Sequence, residues 1–131
     1  MNKPKLLQIV LALGALYYLI GAIAHWWGLT IWPFYDGRLY TPYHDSVIAL
    51  AAIILTGLLL IVARDPVKNI DVLKVIIIAS FTASLFSVLI IYKVDFTALG
   101  APDKAAQTVV EGILGFVFTS ALIWLYPRPT N

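Results

Sequence analysis

LLQIVLALGALYYLIGAIAHWWG, residues 6–28, is the stretch whose reading decides the fold. It exceeds the roughly 20 apolar residues that a helix needs to cross a hydrocarbon core. Only Gln8, Gly14, Gly21, two tyrosines and His25 interrupt it. Lys3 and Lys5 precede it, and Ala22-Ile23-Ala24 imitates the small-x-small end of a cleavable secretory leader, so the residues leave that alternative open. The length of the run and Trp26-Trp27 at its end favour a retained helix, because indole rings settle at the membrane interface.

Outward from this run lie three more, at about residues 46–63, 73–92 and 105–126. All are continuous and rich in Leu, Ile, Ala and Gly rather than alternating, which selects helices over barrel strands. With 61% hydrophobic and 12% charged residues the chain is far from a soluble composition. The expectation is one all-α domain over residues 1–131: a four-helix transmembrane bundle with helices at about 6–28, 46–63, 73–92 and 105–126. Arg64-Asp65-Pro66 begins one short turn, since Pro66 disfavours helix at Asp65. The connection from Lys93 to Lys104 holds Gly100 and Pro102, with Asp103 as the expected N-cap of the last helix. Pro127-Arg128-Pro129 stops that helix.

Counting lysines and arginines orients the chain. Lys3, Lys5, Arg64, Lys68, Lys74 and Arg128 fall on one side, and Arg38, Lys93 and Lys104 on the other. Six against three places both termini in the cytoplasm of a multi-pass plasma (inner) membrane protein. The net charge of +2 sits in short loops rather than along an amphipathic face, which argues against nucleic-acid binding and leaves the lipid bilayer as the first partner. The absence of cysteine excludes disulfides, thiolate metal sites and cysteine nucleophiles.

Lipid tails are as apolar as leucine, so small and polar residues at helical spacing show which faces meet. Helix one offers Gly14, Tyr18, Gly21 and His25; helix two offers Asp45, Ala49, Ala52 and Thr56. Helix three offers Ser80, Ser84 and Ser87, and helix four Thr108, Glu111, Gly115 and Thr119. Facing stripes build a close-packed bundle with a polar seam, and packing alone accounts for most of these residues.

Glu111 stands out. It lies six residues into the last run, about 9 Å along the axis, where a carboxylate costs up to about 3 kcal/mol unless it faces the bundle and finds a partner or a proton. His25 ends helix one and His44-Asp45 opens helix two, so two imidazoles and two carboxylates share one layer. They could hold a proton or a metal, or hydrogen-bond a carbonyl ligand such as a quinone. No HExxH motif, i, i+4 histidine pair or Glu-x-x-His motif is present, so a metal site is not expected and any cofactor stays open. Capping of helix two is the simpler role for Asp45, and an interfacial role the simpler one for His44. The intervening loop, with Trp26, Trp27, Trp32, Tyr35 and Tyr43 and an Asp36-Gly37 turn signal, is either an interfacial belt or a hairpin folded as a lid over a pocket.

Tyr43-His44-Asp45, Ala63-Arg64-Asp65-Pro66 with Asn69, the acidic residue early in the last helix and Trp124-Leu125-Tyr126-Pro127-Arg128 together resemble a family of small four-span bacterial membrane proteins of unknown function. The likeness covers about residues 43–128. It implies the same four-span fold and supplies no activity; family members often carry a histidine in the third helix, where this chain has Ser84 or Ser87. The leading expectation is a non-catalytic protein that binds an apolar small molecule or serves as an accessory subunit of a larger membrane complex or homo-oligomer. A membrane enzyme or redox component using His25, His44, Asp45 and Glu111 is one alternative, and a small proton-coupled transporter using Glu111 is the other.

Overall fold

The computed structural model describes residues 2–127; Arg128 and Pro129, which enter the charge count and the helix stop above, lie outside them. Four helices account for most of the chain: α1 (Lys3–Trp27), α2 (Pro42–Arg64), α3 (Ile70–Leu89) and α4 (Lys104–Leu125). One turn of 3-10 helix, Gly37–Leu39, sits in the α1–α2 loop, and another, Ile90–Tyr92, extends α3. Each helix is long and apolar enough to cross a membrane, so the chain is built as a multi-pass, all-α membrane protein.

The helix ends follow local chemistry. Asn2 caps α1 by accepting the Lys5 amide at 3.2 Å, with Pro4 in the first turn, where its missing N–H costs nothing. Gly28 closes α1 in the left-handed region at φ 63°, its amide donating to the Ala24 carbonyl. The Tyr40 ring lies against that glycine, so a Cβ there would meet both strain and a clash. α2 starts at Pro42, earlier than the apolar run, because proline is preorganised for the first helical position. This corrects the expected cap: Thr41 is the N-cap residue, and Asp45, one turn inside, reaches back to accept the Thr41 amide at 2.5 Å. Asp103 does occupy the N-cap position of α4, but its side chain makes no capping bond and turns to Arg38 instead.

α1 packs along α2 and α3 along α4 much more extensively than either pair packs against the other. The molecule is therefore two antiparallel hairpins laid side by side. Where they join, Leu7, Leu11 and Ala15 of α1 meet Leu59 and Val62 of α2, Leu73 and Ile76 of α3, and Leu122 and Leu125 of α4. All of these belong to the half of the bundle that carries the N-terminus and the α2–α3 turn, called here the terminal half. Lys3 Nζ lies 5.2 Å from the Trp124 ring centroid at the same end, adding a cation–π contact between α1 and α4.

Within the hairpins, small residues bring backbones together as the stripes require. Gly112 faces the Ser84 carbonyl and Val88, and Gly115 lies directly against the Ser84 side chain. The Ser80 and Thr119 hydroxyls meet at 2.8 Å, and Thr119 also donates to the Gly115 carbonyl, so its polar group is satisfied on the way. Ser84 donates to the Ser80 carbonyl at 2.7 Å. Thr56 bonds back to Ala52 at 2.8 Å, with the Ala15 carbonyl of α1 at 3.4 Å. Leucines, isoleucines, valines and phenylalanines cover the outward faces, as a lipid-facing surface requires.

Candidate functional site: a divided cavity beneath the cap

In the half of the bundle opposite the terminal half the hairpins part, and the space between them is a cavity in two compartments. The larger, of about 300 Å³, is walled by Leu13, Gly14, Ser80, Ala83, Ser84, Ser87, Leu114, Gly115 and Phe118. The smaller, of about 220 Å³, lies beneath the loop and is walled by Gly21, His25, Phe34, Ile48, Ala51, Ala52 and Leu55. Tyr17, Tyr18 and Glu111 line both and so stand at the partition, and the larger compartment is open at its side, where Leu13 and Leu114 are exposed. The stripe residues Gly14, Tyr18, Gly21, Ser80, Ser84, Ser87 and Gly115 therefore all reach the cavity, besides whatever packing they do.

Glu111 has the partners that a carboxylate at this depth requires. Lys104, two turns earlier on the same face of α4, places Nζ 3.5 Å from Oε2, and the Tyr17 hydroxyl is 3.5 Å from Oε1. Both charged side chains are largely shielded, at 13% and 17% exposure, so the pair is only weakly screened by water. Thr108, one turn below, bonds to the Lys104 carbonyl and contributes nothing to the carboxylate.

His25 and Asp45 are brought into direct contact, Nδ1 to Oδ1 at 2.6 Å. With the Thr41 amide on Oδ2, both oxygens of a nearly buried carboxylate are occupied. The Tyr35 ring lies on the imidazole with centroids 4.1 Å apart. Tyr35 is itself buried, and burial, reinforced by the nearby Asp45 carboxylate, raises its pKa and keeps the phenol protonated. His44 does not join this layer. One residue from Asp45 on a helix, it turns away by about 100°, is exposed, and has the Tyr43 ring beside it.

The loop over the smaller compartment is folded, though not around Asp36-Gly37. Ile31 and Tyr35 exchange two backbone hydrogen bonds of 2.9 Å around Trp32-Pro33-Phe34, whose Trp32–Pro33 peptide is cis, while Asp36-Gly37 opens the 3-10 turn that follows. Phe34 is carried down onto Tyr17 at 4.9 Å, roofing the cavity. Asp36 is fully buried and chelates Arg38, with Nε at 2.9 Å and Nη2 at 2.6 Å; the bonded guanidinium holds its carboxyl below the usual range. Arg38 then reaches Asp103 at 3.3 Å, tying the α1–α2 loop to the start of α4. Trp26, Trp27, Trp32 and Tyr43 are exposed, as an interfacial belt requires; of the five aromatics singled out from the sequence, Tyr35 alone is inside.

Among the described residues no three His, Asp or Glu side chains converge as a metal-binding group. The sequence reading did not single out Tyr17, Phe34, Lys104, Asp36 or Arg38 as site residues. Lys104 carried a usable signal, its seven-residue spacing from Glu111, whereas the ion pair between two loops carried none. Comparison with protein-family profiles, curated proteins and solved structures finds no match to this chain.

Proposed function

We propose that this protein binds an apolar small molecule drawn from the bilayer, without transforming it, in a plasma (inner) membrane with both termini cytoplasmic. The observation that supports this reading is the divided cavity: mostly apolar walls, with three serine hydroxyls along α3 and the ionisable groups at Glu111 and under the cap. That distribution is what a site for a largely apolar ligand with a polar head requires, the walls supplying contact and the polar groups orientation. Compartments of about 300 and 220 Å³ suit a ring system or a short chain rather than a whole phospholipid.

The geometry gives less support to proton transport. Beyond Glu111 toward the terminal half the Ser80–Thr119 hydroxyl pair gives way to the cluster of Leu7, Leu11, Leu59, Leu73 and Leu122, whose buried members include no polar side chain to carry a proton onward. Whether the protein holds its ligand alone, as a homo-oligomer or for a larger membrane complex changes the partner and leaves the site as described.

Native mass spectrometry of protein released from mild detergent tests the reading. The wild type is expected to retain a small molecule of defined mass. Ser87→Leu, which fills the larger compartment, and Glu111→Gln, which removes the charge at the partition, should each lower its occupancy. A wild type that carries nothing, or equal retention in both variants, would overturn it.

A further inference from the structure

The compartment beneath the cap has a hydrogen-bonding polarity set by Asp45. A carboxylate can only accept, and its two oxygens are met by the Thr41 amide and by His25 Nδ1. The proton between His25 and Asp45 therefore belongs to Nδ1, and the bond made by one ring nitrogen decides the state of the other. In the neutral ring Nε2 then keeps its lone pair; it has no partner among the described residues and belongs to a side chain that lines the compartment. The Tyr35 ring on its face keeps the imidazole from turning. Glu111, at the partition of the same compartment, is an acceptor as well.

We infer that His25 is the recognition residue for the ligand head, accepting a hydrogen bond at Nε2, so that the ligand class is a membrane-soluble phenol or alcohol rather than a ketone, aldehyde or ester. The inference rests on the cavity being a binding site, and it adds which chemistry enters. Asp45 acts through His25 as a positioning residue and does not touch the ligand.

The test uses the full chain in lipid nanodiscs at mildly alkaline pH with three probes of one shape: 1-naphthol, 1-methoxynaphthalene and 1-acetylnaphthalene, each corrected for partition into empty discs. The wild type should bind 1-naphthol about tenfold tighter than either other probe, the worth of one hydrogen bond in a shielded site. Asp45→Asn is the decisive variant. Its amide oxygen can still accept the Thr41 N–H while its NH2 donates to Nδ1, which moves the ring proton to Nε2 and should invert the preference toward 1-acetylnaphthalene. The ¹⁵N spectrum of His25 should show Nδ1 protonated in the wild type and Nε2 protonated in the variant, independently of any ligand. Equal binding of all three probes, or a preference for the ketone by the wild type, would overturn the inference while leaving the cavity a binding site. A variant in which the proton moves and the preference does not would overturn it too. No binding of any probe, with His25 in the stated tautomer, would instead count against the cavity as a binding site for ligands of this size, and the inference would fall with it.

Discussion

Replacing Gly115 by Ala tests how closely α3 and α4 approach. A methyl group there would run into Ser84 Oγ, and that oxygen is held by its bond to the Ser80 carbonyl at 2.7 Å. Ser84 is buried at 3% exposure and has little room to turn away. Overpacking of this kind costs about 1–3 kcal/mol, against a gain of about 0.5–1 kcal/mol from replacing a helical glycine. Ser84→Ala alone removes a back-bond to its own helix and should change stability by less than about 0.6 kcal/mol. In the double variant Oγ is gone, and the new methyl is left 3.1 Å from the Ser84 Cβ position, a gap that a shift of a few tenths of an ångström relieves. The two changes should therefore couple favourably by at least about 1 kcal/mol, well outside the additivity of independent sites. Unfolding in mixed micelles by SDS titration, followed by tryptophan fluorescence, measures all four corners of the cycle. Additivity within about 0.4 kcal/mol would refute the close approach.

The loop latch gives a pH prediction: because the folded-state pKa of Asp36 is depressed, its stabilisation is complete above the unfolded value near pH 3.9 and is lost as pH falls through the lower folded value. Trp32 fluorescence should show the loop loosening below about pH 4, and Asp36→Asn should loosen it at every pH and flatten that part of the profile. Gly37→Ala would drive a Cβ into the Gly28 carbonyl, so hydrogen exchange of the Ile31 and Tyr35 amides should accelerate in that variant while the helices stay protected.

The four helices were legible because length and unbroken apolarity are properties of each segment alone. Helix starts were less so. Pro42 and Asn69 lie in polar stretches, and the apolar run that marks a span begins after the helix does. The small-residue stripes carried the packing correctly where a small or polar group had to meet another, as at Ser80 with Thr119 and Ser84 with Gly115. They also brought His25 to Asp45, because each lies at the end of its stripe on a hairpin whose helices pack along their length. His44 shares their depth but not their facing, since adjacent residues of a helix point about 100° apart, and its exposure agrees with the interfacial role. Arg38 with Asp103 was out of reach: residues 65 apart in separate loops meet only once the two hairpins are set side by side. The divided cavity is likewise a property of how the hairpins part, and the stripes alone describe equally well a bundle packed shut.

Photolabelling tests that parting most directly. A naphthalene carrying a diazirine, equilibrated with the full chain in nanodiscs and irradiated, should place its adducts on Tyr17, Tyr18, Ser84, Ser87 and Glu111, which wall the space between hairpins. Unlabelled 1-naphthol should compete them away. Adducts confined to outward residues such as Leu50, Ile61, Phe86 and Val117, unaffected by competitor, would contradict the account.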